Sequence, residues 1–322
     1  MKITIVGLGL IGGSIALGLK NKHEITGFDP DFNTQKLATA AGIKMVPDLS
    51  IAAKNAELIV VAAPTTISEE TLKELAKQKI SAIVTDICSV KAPLLDAAQG
   101  LNYAGSHPMA GSNEAGFGGA NPQIFLNAPW AISITKETTN QAALVVLQMI
   151  NELGAFVVPV DPRDHDESVV LSSHLAHVVA SAYARSVGES EFAQLAQLLA
   201  GGSFRDLTRV TRSPADRTAE IVWPNRKSLS KVVEALSQNL DKLQGLLDQG
   251  SKADIEEYLK SASAVRIISD ETLNKVKSGK GNKVVSKNNE IVNDLIKASE
   301  NRIMATHFEF GGESVNYLVN EI

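Results

Sequence analysis

Residues 2–12 read KITIVGLGLIG, and this stretch decides the fold of the first half of the chain. Lys2–Val6 is a short apolar run rich in β-branched residues, which predicts a buried strand. The glycines at positions 7, 9 and 12 form the pattern G-x-G-x-x-G, and a helical pattern follows them. In such a turn Gly7 permits the sharp bend, Gly9 lets a pyrophosphate approach the backbone, and Gly12 lets the helix pack closely on the strand. The stretch therefore predicts a dinucleotide-binding strand, turn and helix.

The next predicted strand indicates which dinucleotide binds. It covers Glu24–Phe28 and ends in Asp29, about 20 residues after the first glycine. A carboxylate at this place accepts hydrogen bonds from the adenosine ribose hydroxyls and repels a 2′-phosphate. The two residues after it, a proline and an aspartate, add no positive charge. Leu10 and Ile11 lie with Gly12 at the helix N-terminus, where N–H groups and the helix dipole favour phosphate. We therefore expect NAD as the cofactor; a glycine turn without a cofactor is the alternative.

Strands alternate with helices up to residue 160. This alternation predicts an α/β domain over residues 1–160, built on a doubly wound parallel sheet of the Rossmann type. Ligands of such sheets bind beyond the carboxyl ends of the strands. Two further strand ends lie at Ala63 with Pro64 and at Ser89. These three residues are therefore predicted to contact the cofactor.

A glycine-rich loop with a histidine joins the two halves of the chain. A sixth short strand is predicted over Tyr103–Ser106, and Gly105–Gly119 reads GSHPMAGSNEAGFGG. His107 follows that strand directly, so we expect it to open on the crevice that holds the cofactor. A nicotinamide enzyme needs a group that manages a proton while hydride leaves the substrate, and an imidazole suits this task at neutral pH. His107 is therefore the candidate acid–base residue; a histidine buried in the core is the alternative.

The second half of the chain is predicted to be helical. An all-α domain is expected over residues 161–277, beginning at Asp161-Pro162, which is a typical helix start. Ser228–Gln249 carries apolar residues three and four apart, and we expect a homodimer through this domain. Residues 278–288, SGKGNKVVSKN, predict a flexible linker. Residues 278–322 as a whole form a linker and tail of unknown role, with a helix near 291–304.

Basic side chains of the second half suit an acidic substrate. The run Phe204–Arg212, FRDLTRVTR, carries three arginines, and guanidinium groups bind carboxylates in a bidentate way. Solvated arginines are the alternative. His174 and His177 form an H-x-x-H pair, but no carboxylate or thiol lies near them at ligand spacing. Because zinc needs three or four such ligands, no metal site is predicted.

Composition excludes several classes of function. The chain has 322 residues, a net charge of −5 and a pI near 5.8, which gives no electrostatic case for binding nucleic acid. One cysteine, Cys88, allows no intramolecular disulfide, which fits a reducing compartment. The uncharged stretch Ile3–Leu19 is rich in glycine and shorter than the roughly 20 residues of a membrane span. We therefore expect a cytoplasmic protein without a membrane partner.

Five motifs, in order, carry a resemblance to a known family. From Met1 to about Leu247 the chain resembles the prephenate/arogenate dehydrogenases of tyrosine biosynthesis. The motifs are VGLGLIGGS at 6–14, TDICSVK at 85–91, GSHPMAGS at 105–112, SSHLAH at 172–177 and GGSFRDLTRV at 201–210. The resemblance implies NAD-dependent oxidative decarboxylation of prephenate to 4-hydroxyphenylpyruvate, or of arogenate to tyrosine.

The resemblance also implies roles for single residues. His107 corresponds to the catalytic histidine that takes up the proton of the substrate 4-hydroxyl, and Ser89 to the serine that holds the same hydroxyl. His177 and Arg209 correspond to substrate-binding residues, Arg209 to the one that binds the carboxylate. Further correspondences concern the substrate pocket, the partner subunit's site and the domain junction. They are Ser112 near the substrate, Asp206 and Gly202 toward the partner subunit, and His165 at the junction.

The chain departs from the family pattern at three positions. Asn113 stands where the family often has Glu, Ala176 where it usually has Pro, and Cys88 where it has a small residue. Asn113 is expected near the substrate, so the preference between prephenate and arogenate stays open. Some family members carry a regulatory ACT domain at the C-terminus. Its alternating strand pattern is missing from the tail, so we infer no regulation by tyrosine through it.

Two other classes of protein stay open on the sequence. One is a different NAD-dependent dehydrogenase, of the 6-phosphogluconate or hydroxyacid type, that shares only the Rossmann half. The other is a non-catalytic sensor that binds NAD.

Overall fold

The computed structural model describes residues 1–112 and 114–321, which form two compact units. The first unit contains Met1–His165 and the residues from Asp270 onward, and the second contains Asp166–Ser269. The C-terminal residues thus return to the unit in which the chain begins.

The first unit opens with five strand–helix alternations and a sixth strand. The elements are β1 (Lys2–Val6), α1 (Leu10–Leu19), β2 (Glu24–Phe28), α2 (Phe32–Ala40), β3 (Lys44–Met45), α3 (Leu49–Lys54), β4 (Leu58–Val61), α4 (Thr65–Lys77), β5 (Ile83–Asp86), α5 (Ala92–Ala97) and β6 (Asn102–Tyr103). All six strands are parallel, in the order β3-β2-β1-β4-β5-β6. The predicted doubly wound parallel sheet is confirmed. Its strand order reverses between β1 and β4, where such sheets bind their ligands.

Two glycines allow α1 to lie against the first sheet. Gly7 has φ +90°, and a Cβ there would lie 2.8 Å from the carbonyl oxygen of Ala62. A Cβ on Gly12 would lie 2.0 Å from the carbonyl oxygen of Gly7. No side chain fits at either position, so the glycine turn fixes where α1 begins relative to β1 and β4.

The chain then leaves the first sheet and starts a second one. This sheet contains β7 (Gly105–Pro108), β8 (Pro129–Ser133) and β9 (Phe156–Val160). Helix α6 (Asn140–Glu152) connects β8 to β9. Strand β7 is antiparallel to β8, and β8 is parallel to β9. Two short 3₁₀ turns, Phe117–Gly119 and Pro122–Phe125, lie between β7 and β8.

The prediction of one sixth strand over Tyr103–Ser106 was wrong. Ala104 separates β6, which pairs with β5, from β7, which pairs with β8. Because both strands are short and only one residue separates them in the chain, their sequence reads as one run, and only pairing partners distant in the chain divide it. His107 accordingly lies within β7 of the second sheet, and not after a strand of the first.

The second unit is helical. It comprises the latter part of α7 (Pro162–Val169), a π-helical turn (Val170–His174), α8 (Leu175–Gly188), α9 (Ala193–Leu198), α10 (Gly202–Thr208), a 3₁₀ turn (Arg209–Arg212), α11 (Ala215–Val222), α12 (Arg226–Gln249) and most of α13 (Lys252–Lys277). Several large apolar side chains of this unit are exposed, among them Leu198 and Trp223. None of the helices in the described part of the chain is both long and apolar enough to cross a membrane.

The C-terminal residues complete the second sheet. They form β10 (Asn282–Lys287), α14 (Ile291–Glu300), β11 (Ile303–Phe310) and β12 (Ser314–Glu321), and the sheet order is β10-β12-β11-β9-β8-β7. Strand β11 joins β9 at Ala305 and Val157 in antiparallel fashion. The second sheet therefore contains both the strand of His107 and the C-terminal strands.

Two sequence-based expectations for the tail were wrong. A flexible linker was predicted over 278–288, but residues 282–287 form β10. The lysines and glycines of this stretch are typical of a linker, and its alternation is not an apolar one, because Ser286 is buried and Val285 is exposed. The helix expected near 291–304 ends at Glu300, before β11 begins at Ile303. Leu295 of α14 and Tyr317 of β12 belong to the same hydrophobic core as the N-terminal strands. The tail thus packs as part of the first unit.

The packing of the tail leads to a prediction for stability. Leu295 is fully buried in the core, so Leu295→Ala is expected to lower the free energy of unfolding by about 2–5 kcal/mol. Guanidinium unfolding followed by circular dichroism measures the change. Lys297→Ala, at an exposed site of the same helix, is the control and is expected to change the free energy by at most about 0.5 kcal/mol. A cost at Leu295 no larger than at Lys297 would contradict the placement of α14 in this core.

Candidate active site

The glycine turn and Asp29 form a cradle with the features that NAD requires. Nothing lies within 4 Å of the position that a Cβ on Gly9 would take, so this backbone is open to a phosphate. The Asp29 carboxylate accepts hydrogen bonds from the backbone N–H of Leu8 at 2.7 Å and of Asp31 at 2.9 Å. These bonds fix the carboxylate at the end of β2, where ribose hydroxyls bind in this type of fold.

Leu10 and Ile11 begin α1, and no side chain caps this helix at its start. The first N–H groups of a helix have no partner within the helix, so they suit a pyrophosphate. The sequence-predicted contacts of Gly7, Gly9, Leu10, Ile11, Gly12 and Asp29 thus converge at one end of β1. The residues present fit NAD.

The ends of β4 and β5 meet beside this cradle. The carbonyl oxygen of Ala63 accepts hydrogen bonds from the Ser68 hydroxyl at 2.9 Å and the Cys88 thiol at 3.7 Å. Pro64 is exposed, and Ser89 is half-buried in the loop after β5. Burial, together with the Asp86 carboxylate, raises the pKa of the Cys88 thiol to about 12. The thiol is therefore neutral near pH 7 and is no nucleophile.

His107 forms a pair with a second histidine. Its Nδ1 lies 2.9 Å from Nε2 of His165, and the two rings meet edge to face with centroids 5.1 Å apart. His107 is half-buried, whereas His165 is buried near the start of α7, where its backbone N–H donates to the carbonyl oxygen of Asp161. One ring of the pair must donate and the other accept, so the contact restricts the tautomer of both imidazoles.

A buried polar cluster adjoins His107, and it was missed from the sequence. Asp86, at the end of β5, accepts hydrogen bonds from Lys91 Nζ and the Tyr103 hydroxyl. Lys91 also donates to the carbonyl oxygen of Ser106 at 2.7 Å. A lysine followed by the apolar start of a helix was a possible signal, but lysines are so seldom buried that sequence reasoning favours a solvated one.

The loop after β7 contains two predicted substrate contacts. Ser112 is exposed, and its hydroxyl accepts a hydrogen bond from the backbone N–H of Glu114 at 3.1 Å. Asn113 lies outside the described residues. Further along the loop, Phe117 is buried and packs against Gly13 at the start of α1. The loop is thereby anchored to the helix of the cofactor cradle.

In the second unit, His177 and Arg209 are electrostatically coupled. His177 lies on α8 and is half-buried; Arg209 begins the 3₁₀ turn after α10 and is exposed. Burial lowers the pKa of the His177 imidazole below its usual value, and the cations of Arg209 and Arg217 lower it further. His177 is therefore neutral at neutral pH and beside a guanidinium. Asp206 and Gly202, on α10, are exposed.

Among the described residues, no group of three or more histidine, cysteine, aspartate or glutamate side chains is arranged to hold a metal ion.

The sequence matches two domain families in order. Over residues 15–159 the match is to the prephenate dehydrogenase nucleotide-binding domain, and over residues 161–261 to the prephenate dehydrogenase dimerization domain. A prephenate dehydrogenase of Lactococcus lactis subsp. cremoris (strain MG1363) is 30% identical over 82% of this chain and 76% of its own length. The chain belongs to the prephenate dehydrogenase family.

Solved structures of prephenate and arogenate dehydrogenases share the fold. The Synechocystis arogenate dehydrogenase is 29% identical, with a TM-score of 0.71 over 83% of this chain and 99% of that one. The prephenate dehydrogenase from A. aeolicus, in complex with hydroxyphenyl propionate and NAD+, is 25% identical, with a TM-score of 0.75 over 83% of this chain and 97% of that one. Strands β10–β12 lie beyond both matched domains.

In this member of the prephenate dehydrogenase family, the predicted site residues fall into two groups. The first unit holds the glycine turn, Asp29, Ala63, Pro64, Ser89, His107 and Ser112. The second unit holds His177, Arg209, Asp206 and Gly202. The roles of these residues remain predictions, and the geometry adds Asp86, Lys91 and Tyr103 as a cluster that is bonded to Ser106, the residue before His107.

The coupling of His177 to Arg209 leads to a prediction for titration. A nearby cation disfavours the imidazolium, so removing it in Arg209→Ala is expected to raise the pKa of His177. Histidine proton shifts in NMR spectra, assigned with His177→Asn, measure the change. Arg185→Ala removes an exposed cation that pairs with Glu189 and is expected to leave this pKa in place. A fall or no change in Arg209→Ala would contradict the electrostatic coupling.

Proposed function

We propose that this protein is an NAD-dependent dehydrogenase that oxidatively decarboxylates prephenate or arogenate in tyrosine biosynthesis. The observation that carries the proposal is a combination found within one unit. A dinucleotide cradle and a half-buried histidine paired to a second histidine occur together in a chain of the prephenate dehydrogenase family. A cofactor site and a positioned base are what the reaction requires.

The protein's main chemical task is to accept a proton. NAD, when bound, accepts the hydride from C4 of the substrate ring. The C1 carboxylate leaves as CO2, and the ring becomes aromatic. Because aromatisation and loss of CO2 drive the reaction, the protein has to orient the substrate and stabilise the charge that develops at the 4-oxygen.

His107 is the proposed base. When its Nδ1–H donates to Nε2 of His165, its own Nε2 carries the lone pair that takes the proton of the 4-hydroxyl. Ser89 is proposed to donate or accept a hydrogen bond at the same 4-hydroxyl. This hydrogen bond aligns the substrate hydroxyl with His107. His165 fixes the tautomer that this step needs.

Substrate binding is assigned to the second unit and the loop after β7. Arg209 is proposed to bind a carboxylate of the substrate, because a guanidinium presents two parallel N–H donors. His177, which the low pKa keeps neutral, is proposed to form a neutral hydrogen bond with the substrate. Ser112, Asn113 and Asp206 are the further proposed contacts.

The helical unit mediates homodimerisation. It matches a dimerization domain, and exposed apolar side chains such as Leu198 of α9 and Trp223, directly after α11, support an interface there. The dimer provides a second copy of Asp206 and Gly202, which are proposed to reach the site of the partner subunit.

A turnover assay with both substrates tests the proposal. Purified protein is mixed with NAD and either prephenate or arogenate, and the absorbance of the reduced nicotinamide is followed; parallel reactions contain NADP. The expected result is turnover with NAD and at least one of the two substrates. NADH binding without turnover would support a sensor, and absence of binding would overturn the cofactor assignment. The faster substrate defines the preference that Asn113 leaves open.

The role of His107 leads to a kinetic prediction. His107→Asn is expected to lower kcat by about 10²–10⁴, the usual effect of removing a general base, and to leave NADH binding unchanged. Steady-state kinetics and fluorescence titration with NADH measure both. His307→Asn is the matched control, because His307 is an exposed histidine with φ +55°, a conformation that Asn tolerates. A near-wild-type kcat for His107→Asn would refute the role.

The role of Arg209 leads to a second kinetic prediction. Arg209→Ala is expected to raise KM for the substrate by roughly tenfold or more, since a charged hydrogen bond contributes about 1.5–3 kcal/mol. KM for NAD is expected to stay the same. Arg185→Ala, at an exposed site on α8, controls for the loss of a positive charge from this unit. If Arg209→Ala leaves KM for the substrate unchanged, Arg209 does not bind the carboxylate.

A further inference from the structure

An ion pair is buried next to His107, and the proposed chemistry does not use it. Asp86 is fully buried and Lys91 is 1% exposed. Lys91 Nζ donates one hydrogen bond to the Asp86 carboxylate and another, at 2.7 Å, to the carbonyl oxygen of Ser106. Ser106 immediately precedes His107 in β7. The lysine therefore connects the end of β5 in the first sheet to the strand of His107 in the second.

The Asp86 carboxylate has further partners on other elements. The Tyr103 hydroxyl, in β6, donates to Oδ2, and the backbone N–H of Cys88 donates to Oδ1 at 2.8 Å. The Ser106 hydroxyl donates to the backbone carbonyl oxygen of Asp86 at 2.9 Å. Asp86 thus holds the loop after β5, which contains Ser89, through its carboxylate, and it holds β7 through its backbone carbonyl oxygen and through Lys91.

Gly105 shows how tightly this cluster is built. A Cβ at that position would lie 2.7 Å from the Tyr103 hydroxyl and 3.3 Å from Oδ2 of Asp86. The absence of a side chain at Gly105 lets the tyrosine and the carboxylate approach the backbone of β7. Close packing of Tyr103 and Asp86 therefore accounts for a glycine at position 105.

Stability alone does not account for a buried ion pair. The cost of removing both charges from water is often as large as their attraction, and apolar residues of the same volume commonly give equal or greater stability. The pair provides hydrogen bonds with defined directions, and each of them requires one arrangement of the atoms that it joins. Here those atoms belong to the loop of Ser89 and the strand of His107.

We propose that the cluster of Asp86, Lys91 and Tyr103 is a positioning device that holds Ser89 and His107 in the arrangement needed for proton transfer. This inference rests on the proposed function. None of the three side chains is proposed to touch the substrate or the cofactor. A displacement of about 1 Å at a catalytic group can cost 10²-fold in rate, so loosening the cluster affects the chemical step more than binding.

Tyr103→Phe is the central test, because it removes one hydroxyl and preserves the ring. We expect kcat to fall about tenfold, while KM for the substrate and for NAD stay within twofold. Active sites are counted by NADH titration, so that kcat refers to folded protein. A kcat within twofold of wild type would overturn the inference.

Tyr317→Phe is the matched control. Tyr317 is also a buried tyrosine of the first unit, and burial together with the carboxylate of Asp294 raises its pKa to about 12. It lies in β12, which two strands, β11 and β9, separate from β8, the partner of β7. The control is expected to leave kcat within twofold even if its Tm falls as far as that of Tyr103→Phe. An equal loss of kcat in both variants would mean that Tyr103 contributes only general stability.

A spectroscopic measurement keeps the inference testable without turnover. The imidazole ¹⁵N shifts of His107, assigned with His107→Asn, are expected to change in Tyr103→Phe and to stay the same in Tyr317→Phe. Unchanged shifts in Tyr103→Phe would overturn the inference. Absence of wild-type turnover, by contrast, would refute the proposed function and leave this measurement to decide on the positioning role.

Discussion

The buried ion pair of Asp86 and Lys91 joins the two sheets of the first unit. Asp86 terminates β5 of the parallel sheet and, through Lys91 and Ser106, holds β7 of the second sheet. An unpaired carboxylate cannot be buried at acceptable cost, so the lysine and the tyrosine must occupy their places whenever the sheets come together. The contacts that join the two sheets therefore also place the residues next to them in the chain. His107 and Ser89 are covalently next to Ser106 and Cys88, which these hydrogen bonds hold in place.

The second sheet places the C-terminal tail in the same structure. Strand β9 would be an edge without β11, and edge strands with an apolar face tend to pair with other chains. The tail covers that edge and contributes α14 and Tyr317 to the core. Because β7, β8, β9 and β11 are neighbours, the strand of His107 and the tail share one hydrogen-bonded sheet. The tail thus belongs to the same sheet as the strand of the histidine, although it lies beyond the two matched domains.

The parts that the sequence predicts are those that local rules determine. The glycine turn, the position of Asp29 and the alternation of strands with helices depend on residues within about 30 positions of each other, and the pattern is visible in the chain. The division of residues 103–106 between two sheets is not local, because it depends on pairing with β8, which begins at Pro129. Strand β10 of the tail was missed for a related reason. β10 gains its place from β12, and its lysines and nearby glycines resemble those of a linker.

Among the site residues, too, the features that depend on neighbours in sequence were predicted, and the contacts between residues distant in the chain were missed. His107 was a candidate because of its neighbours in sequence, but its partner His165 is 58 residues away, and only the fold makes them a pair. Within the first unit, two other ionisable groups close to the strand of His107 are occupied by their surroundings. The Asp86 carboxylate accepts hydrogen bonds from Lys91, Tyr103 and the backbone N–H of Cys88, and burial keeps the Cys88 thiol protonated. Neither group is a free base, because the carboxylate is held by three donors and the buried thiol offers no thiolate. In the proposed mechanism the imidazole of His107 is therefore the group that takes the proton of the substrate.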